Sequence, residues 1–117
     1  MRDAAQRVSV MAPGAYVVIF ASTRTADDQV GYDTMAEAMG DLARAQSGFL
    51  GMQSVRGDDG VGITVCYWTS AEAIAAWKRD VDHAAAQRQG QERWYAEYSV
   101  TVARVERHYG EGNRPDR

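Results

Sequence analysis

The sequence has few of the residues from which several common classes of protein are built. It contains one cysteine, Cys66, and two histidines in 117 residues. A single cysteine excludes a disulfide framework within the chain and fits a reducing cytoplasm. One cysteine and two histidines cannot make a four-ligand zinc site without carboxylates, so we expect no metal centre.

Excess positive charge and long apolar segments are missing as well. The 13 Lys and Arg residues are outnumbered by 16 Asp and Glu, and a net charge of -3 gives no basic field for nucleic acid or an anionic membrane. No apolar run approaches the roughly 20 residues of a membrane span, and the first residues show no signal peptide. With 45% hydrophobic and 25% charged residues, the composition is that of a globular domain. We therefore expect one domain over residues 16–109, with a flexible lead-in at 1–15 and a flexible tail at 110–117.

Two segments have the periodicity of amphipathic helices. The first has apolar residues every three or four positions from Tyr32 to Leu42. Thr34 matches the start of a capping box, although the apolar pattern begins earlier and leaves the first turn open. The second helix starts at another capping box, at Thr69. It either continues past Asp80 or breaks near Asp80–Asp82.

Four segments rich in β-branched and aromatic residues predict strands. The second and third are joined by a Gly-Asp-Asp-Gly hairpin turn at residues 57–60. The order β-α-β-β-α-β predicts a ferredoxin-like α+β fold, in which a four-stranded antiparallel sheet carries both helices on one face. The other face is also apolar and needs a partner, so we expect a homodimer with two sheets packed face to face. The predicted strands are Tyr16–Arg24, Phe49–Arg56, Val61–Trp68 and Ser99–His108.

Several motifs follow one another along the chain in a fixed order: Gly48-Phe49-Leu50-Gly51, Asp59 to Trp68 and Glu72 to Lys78, then His83, Ala86-Gln87, Gly90, Trp94-Tyr95 and Val105-Glu106-Arg107. Together they resemble the antibiotic biosynthesis monooxygenase (ABM) family. The resemblance extends over residues 16–110, although Ser47 stands where the family commonly has a proline. It implies a dimeric α+β barrel and little about substrate, because this fold hosts cofactor-free oxygenases, haem-degrading enzymes and isomerases.

The chain has no motif for binding a nucleotide, a haem or a metal: it lacks G-x-G-x-x-G, a Walker loop, H-E-x-x-H and C-x-x-C. Redox chemistry would then come from the substrate or from a bound cofactor that no motif in the sequence indicates. Cofactor-free members of the family use an electron-rich aromatic anion that passes an electron to dioxygen. The resemblance therefore implies a cofactor-independent monooxygenase-like protein that holds a small aromatic compound between sheet and helices.

His83 is the candidate catalytic base, because imidazole exchanges protons near neutral pH. In a continuous helix it would lie about 180° around the axis from Ile74, away from the core stripe. A break near Asp80–Asp82 would let it turn toward the cleft. The alternative is a structural histidine that forms a hydrogen bond at the helix break or at the dimer interface.

The candidate substrate-binding residues are mostly aromatic, because aromatic side chains hold planar ligands. Trp68 and Trp77 have the alternative role of core residues, and Arg104 that of an ion-pair partner of Glu106. Arg24, at the end of the first strand, contacts either an anionic ligand or solvent. The candidates are Trp68, Trp77, Tyr32, Tyr67, Trp94 and Arg104.

Two other functions compete with the oxygenase hypothesis. The haem-degrading branch has an asparagine on the first strand, where this chain has residues 21–23 (Ala-Ser-Thr), and a histidine where it has Gln87. These departures rank haem binding second, with Trp77 as its matching residue. The third hypothesis is a non-catalytic dimeric binder of a small molecule.

Overall fold

The computed structural model describes residues 13–86 and 94–110, and side chains within the first range up to position 82. Most of the predicted lead-in and tail therefore lies outside the described residues. The elements are β1 (Tyr16–Arg24), α1 (Gln29–Arg44), β2 (Phe49–Arg56), β3 (Val61–Trp68), α2 (Ala71–Ala86) and β4 (Tyr95–Arg104). The strands form one antiparallel sheet in the order β2-β3-β1-β4. This is the ferredoxin-like α+β fold that the sequence predicts.

The core lies between the sheet and the two helices. Val18 of β1 pairs with Cys66 of β3 and with Val102 of β4, and directly paired residues share one face of a sheet. Val18 and Cys66 are buried with Ala43 of α1, and Trp77 of α2 packs against them. The even-numbered residues of β1 and β3 therefore point toward the helices, on what we call the helix-side face; the opposite surface is the helix-free face.

The last strand begins and ends earlier than predicted. It spans Tyr95–Arg104, not Ser99–His108. Its register explains the shift, because Arg104 pairs with Tyr16 at one end of β1 and Tyr95 pairs with Arg24 at the other. The length of the neighbouring strand sets the bounds of β4, and local composition around residues 92–98 did not reveal them.

Thr34 matches a capping box in the sequence but does not cap α1, whose first turn the sequence left open. The helix begins at Gln29, and the Asp28 side chain caps it by accepting a hydrogen bond from the Gly31 backbone N–H at 3.1 Å. Asp28 has φ 53°, in the left-handed region that Asp tolerates better than most residues. Thr34 instead lies inside the helix, where its hydroxyl donates to the Val30 carbonyl at 2.9 Å.

The second helix is capped one residue later than predicted and has no break. The Ser70 hydroxyl, not that of Thr69, accepts a hydrogen bond from the Ala73 backbone N–H at 3.1 Å. The helix continues through Asp80 to Ala86. Lys78 and Asp82 form a 2.8 Å ion pair across the position of the expected break, at the i,i+4 spacing that supports a continuous helix. No helix in the described part of the chain is long and apolar enough to cross a membrane.

The helix layer covers only part of the helix-side face. Tyr98, Val100 and Val102 of β4 pair with Ser22, Phe20 and Val18, so they lie on this face. They are nevertheless 60, 55 and 52% exposed. The helices therefore leave an open apolar strip along β4, which we call the β4 strip (Tyr98, Val100 and Val102).

The helix-free face also exposes apolar side chains. Val55, Val61 and Ile63 are the large exposed residues of β2 and β3 on this face. An open depression of about 370 Å³ crosses its end, from Ile63 over β1 to Glu97 of β4. In a single chain this second face is uncovered, as the sequence predicts.

Candidate functional site

A tryptophan cluster (Phe49, Trp68 and Trp77) fills one end of the space between sheet and helices. Trp68 is fully buried, with its ring centre 5.1 Å from that of Trp77 and 5.6 Å from that of Phe49. The Trp77 indole N–H donates to the Met39 carbonyl at 3.2 Å, which fixes its orientation. The predicted pair Trp68 and Trp77 is therefore brought together, with Trp68 closed off from solvent.

The polar groups beside this cluster are shielded from water. The Trp68 indole N–H has no hydrogen-bond partner among the described residues. Burial raises the pKa of the Cys66 thiol to about 11, and the neighbouring Trp68 opposes the shift only in part. Cys66 is therefore a protonated, inert thiol at neutral pH.

A tyrosine–arginine cluster (Arg24, Tyr32, Arg56 and Tyr95) occupies the other end of the helix-side face. It forms where β1 and β2 end, β4 begins and α1 makes its first turn. The guanidinium carbons of Arg24 and Arg56 lie 3.9 and 5.8 Å from the centre of the Tyr32 ring. The Tyr32 and Tyr95 rings meet edge to face, with centres 6.0 Å apart. Two cations therefore flank one phenol, and a second phenol completes the group.

The Arg24 guanidinium is held by neutral oxygen atoms. It donates to the Trp94 carbonyl at 2.9 Å, to the Gln29 side-chain carbonyl at 3.1 Å and to the Asp27 backbone carbonyl at 3.5 Å. None of these acceptors carries charge. The side chain thus joins the end of β1 to the starts of β4 and α1 without neutralising its own charge.

The Arg56 guanidinium has the same kind of surroundings. It donates to the Ser22 hydroxyl at 2.8 Å, to the Ser22 carbonyl at 3.4 Å and to the Gly60 carbonyl. Ser22 is buried, so its hydroxyl is a fixed acceptor. Within the described residues, the only ion pairs are Arg44–Asp41 and Lys78–Asp82, and neither involves the cluster.

A glycine opposite Arg56 makes room for its guanidinium. Arg56 pairs with Gly62 of β3, on the helix-side face. A Cβ atom at Gly62 would lie 2.7 Å from the Arg56 guanidinium carbon, closer than real Cβ contacts allow. The missing side chain at position 62 therefore lets Arg56 lie across β3 toward Ser22.

The Tyr95 phenol remains protonated. Burial raises its pKa, the neighbouring Tyr32 raises it further, and Arg56 and Arg24 oppose the shift only in part. At neutral pH Tyr95 is therefore a neutral hydroxyl that donates hydrogen bonds. Its ring contacts Phe20 edge to face at 5.3 Å, and Phe20 lies 5.7 Å from Tyr98 at the beginning of the β4 strip. The polar cluster and the open apolar strip are continuous.

The comparisons with known proteins agree with this fold. The model of the antibiotic biosynthesis monooxygenase family matches residues 15–89. The chain belongs to this family. It is 48% identical over 95 residues to the uncharacterized protein YqjZ of Bacillus subtilis (strain 168), covering 81% of this chain and 82% of that protein.

Two solved structures share the fold of this ABM-family chain. SnoaB, a cofactor-independent oxygenase from Streptomyces nogalater, has a TM-score of 0.64 and 14% identity, over 84% of this chain and 99% of that one. MhuD, solved with two manganese protoporphyrin IX molecules bound per active site, has a TM-score of 0.62 and 22% identity, over 82% and 99%. At these identities the likeness establishes the shared fold and leaves the ligand open.

The structure divides the predicted substrate-binding residues of this ABM-family chain among several places. Tyr32 and Trp94 meet at 6.1 Å, and the Trp94 indole N–H donates to the Asp28 carboxylate at 3.2 Å. Tyr67 lies on the helix-free face, because it is an odd-numbered residue of β3 and the even-numbered residues point toward the helices. Arg104 is exposed at the opposite end of the sheet, opposite Tyr16.

His83 lies within α2, but its side chain falls outside the described residues. The break that would turn this position toward the cleft is absent, because α2 is continuous. Ile74, nine positions earlier, packs on the core, so the backbone at position 83 is on the other side of the helix. Gln87, the position compared with the haem-ligating histidine, lies outside the described residues as well.

Sequence reasoning missed two members of the tyrosine–arginine cluster. Arg56 could have been found by extending the predicted hairpin register, which sets it opposite Gly62 and on the same face as Cys66. Tyr95 was missed because it falls in a segment whose strand was predicted to start later. No three His, Cys, Asp or Glu side chains of the described ranges come together in a way that could hold a metal ion.

Proposed function

We propose that this ABM-family protein is a cofactor-independent monooxygenase-like enzyme that acts on a small electron-rich aromatic compound. The observation that carries the proposal is the open aromatic surface on the helix-side face. Phe20, Tyr95 and Tyr98 meet there at the side that the helices leave uncovered. Planar ligands bind to such surfaces, where ring faces and edges are available and a few polar groups set the orientation.

The reaction that we propose needs no external reductant. A methylene group between aromatic rings loses a proton, and the resulting anion passes an electron to dioxygen. In the complete reaction the methylene becomes a carbonyl, one oxygen atom stays in the product and the other leaves as water. The substrate supplies all four electrons. The protein contributes an apolar pocket, a proton acceptor and donors that hold the anion.

His83 stays the predicted proton acceptor, and it is the residue to test first because the continuous α2 sets its backbone on the side of the helix away from Ile74. We expect His83→Ala to lower oxygen uptake by about 10²- to 10⁴-fold, as the loss of a general base does. His108→Ala is the matched control, since His108 is exposed near the end of the described chain. The assay is oxygen consumption with anthrone-like substrates and electron-rich phenols, together with the melting temperature of each variant.

The outcomes separate an enzyme from a scaffold. Unchanged uptake by His83→Ala would remove His83 from the mechanism. A variant that instead loses about 1–3 kcal/mol of stability would indicate a structural histidine with a buried hydrogen-bond partner. If no substrate supports uptake by the wild-type protein, the non-catalytic small-molecule binder replaces the enzyme.

The proposed ligand position uses part of the predicted set. Tyr32 is half-buried at the cluster, and Trp77 is half-buried against the core, so both can border a cleft on the helix-side face. Trp68, Trp94 and Arg104 remain predicted substrate-binding residues, whereas Tyr67 lies on the helix-free face and is not part of the proposed cleft. Alanine variants of Tyr32 and Tyr67 compare the two faces directly: only the first should weaken substrate binding.

Haem binding is the competing proposal. The likeness to MhuD supports it at the level of the fold. Titration with haem, followed at its Soret band, tests it: a tight complex of one haem per subunit that His83→Ala abolishes would put haem first.

We further propose a cytoplasmic homodimer that packs through the helix-free face. Val55, Val61 and Ile63 supply its exposed apolar side chains. A stable interface of this kind buries about 1,000 Å² or more in total. Sedimentation equilibrium at micromolar concentration tests the assembly, and a monomer under those conditions contradicts it.

A further inference from the structure

We infer that the tyrosine–arginine cluster is a binding site for the carboxylate of a small aromatic acid. Arg24 and Arg56 would hold the charged group, while the aromatic ring of the ligand lies on the β4 strip. The inference rests on the proposed function for the aromatic part of the ligand only, because binding of the carboxylate requires no turnover.

Arg24 and Arg56 bring two positive charges to one end of the helix-side face. Both guanidinium groups lie by the Tyr32 ring, and all their hydrogen-bond acceptors among the described residues are neutral. Each guanidinium has five N–H donors and makes three hydrogen bonds to described residues, fewer than its donors allow. Two like charges on half-buried side chains repel each other, and an anion between them would offset that repulsion.

The two ion pairs of the described residues, Arg44–Asp41 and Lys78–Asp82, involve neither Arg24 nor Arg56. The Asp28 carboxylate accepts hydrogen bonds from the Gly31 N–H and the Trp94 indole. Asp33 accepts from the Gln29 amide, one turn further along α1.

The shape of the cluster and of the β4 strip matches a flat ligand with a carboxylate at one end. A planar guanidinium binds a planar carboxylate through paired N–H donors, which is why arginine is suited to this group. Tyr95, a neutral hydroxyl donor beside the two arginines, can complete the set. From this point the side chains turn apolar along β4, through Tyr98 to Val100. A ligand with a charged end and a flat apolar body matches that order of surfaces.

The site is built by residues that are distant in the chain. Arg56 donates a hydrogen bond to Ser22, 34 positions earlier in the chain, and Arg24 donates to the Trp94 carbonyl, 70 positions later. Gly62 leaves the space that the Arg56 guanidinium needs. An arginine at an ordinary strand end would extend into solvent, whereas these two are held by hydrogen bonds to other segments of the chain.

The experiment compares an acid with its uncharged counterpart. 4-Hydroxybenzoate and 4-hydroxybenzamide have the same ring and differ in charge at one group, and their binding to the full chain is measured by NMR titration. We expect the wild-type protein to bind the acid at least about tenfold more tightly than the amide, as a charge-assisted hydrogen bond allows. We expect this preference to fall as salt is raised.

Variants assign the preference to the cluster. Arg56→Gln should reduce the affinity for the acid about tenfold and leave the affinity for the amide unchanged. Arg56→Lys keeps the charge without the planar fork and should retain part of the preference. Arg44→Gln is the control, because Arg44 is an exposed arginine of α1 that pairs with Asp41. If Arg56→Gln does not fold, the acid–amide comparison and its salt dependence on the wild-type protein decide.

Several results would overturn the inference. Equal affinity for acid and amide would do so, as would an Arg56→Gln variant that weakens both equally, or no binding of either compound. A phenol without a carboxylate that binds only above its own pKa would assign the site to phenolates instead. Binding of haem but not of its dimethyl ester, with no binding of the benzoate, would assign the arginines to porphyrin carboxylates.

Oxygen uptake and the preference for the acid are independent measurements, so the carboxylate site and the oxygenase activity are tested separately. Oxygen uptake with neutral phenols and no preference for the acid would overturn the carboxylate site and leave the oxygenase proposal intact. A clear preference for the acid with no oxygen uptake for any substrate would do the reverse.

Discussion

Replacing Gly62 by alanine tests the packing on which the position of Arg56 depends. The added methyl carbon would lie 2.7 Å from the Arg56 guanidinium carbon, 3.0 Å from its Nε and 2.9 Å from the Val55 carbonyl oxygen. Arg56 can swing away at the cost of its hydrogen bonds to Ser22 and Gly60, but the carbonyl belongs to the β2 backbone and cannot. Both contacts therefore destabilise the variant.

The magnitude follows from two opposing effects. Alanine in a strand gains about 0.5–1 kcal/mol over glycine, because glycine loses more conformational freedom on folding. Overpacking of a buried position costs about 1–3 kcal/mol. Since Gly62 is buried and one of its close contacts is backbone, overpacking wins, and we expect Gly62→Ala to lower the free energy of unfolding by about 1–2 kcal/mol.

Urea unfolding measures this change as a lower midpoint with an unchanged m-value. Gly110→Ala is the control, since nothing lies within 4 Å of the methyl group it would add. In an Arg56→Ala background, the cost of Gly62→Ala should shrink to the contact with the Val55 carbonyl. A Gly62→Ala protein as stable as the wild type, or an equal cost in both backgrounds, would refute the reasoning.

Two further predictions concern the buried thiol and the helix-free face. Because burial raises the pKa of Cys66 from about 9 to about 11, the native protein keeps a proton that the unfolded chain releases above about pH 9. That contribution to stability is complete below about pH 9 and is lost as the pH rises toward 11, by about 2–3 kcal/mol. Cys66→Ala should lose less stability over the same pH range in urea unfolding, and parallel curves would contradict this. Ile63→Asp should turn the proposed dimer into a monomer in sedimentation equilibrium, because it places a charge in the apolar interface. Val30→Asp, at an exposed valine of α1, is the control and should leave the dimer intact. A dimeric Ile63→Asp protein would show that the interface does not lie on the helix-free face.

Much of the fold could be predicted because its information is local. The bounds of β1, β2 and β3 agree with the prediction, since each is a run of β-branched and aromatic residues and a Gly-Asp-Asp-Gly turn joins the last two. The family follows from motifs on these same segments. The caps of the helices were harder, because Asp28, Thr34, Thr69 and Ser70 all have side chains suited to capping and only the backbone geometry chooses among them.

The candidate site was less predictable, because it depends on contacts between distant segments. Arg24 was noticed as a strand-end cation, but the sequence does not show that Arg56 lies near the same ring. Trp68 follows a pattern compatible with a pocket or with the core, and only the packing of α2 over β3 decides that it is buried. Adjacent residues alternate between faces, so Tyr67 and Trp68 could not both have bordered one cleft, and this was predictable from strand geometry alone.

The cap of α1 has a consequence for the order in which the chain folds. Asp28 has a left-handed backbone, a conformation that costs about 1–2 kcal/mol. One of its carboxylate oxygens accepts from the Gly31 N–H and the other from the Trp94 indole, 66 residues further along the chain. Contacts of such high sequence separation form late, because a long loop must close first. The first turn of α1 therefore reaches its full stability only when the start of β4 docks, and a nascent chain that lacks Trp94 carries the strain of the cap without the contact that offsets it.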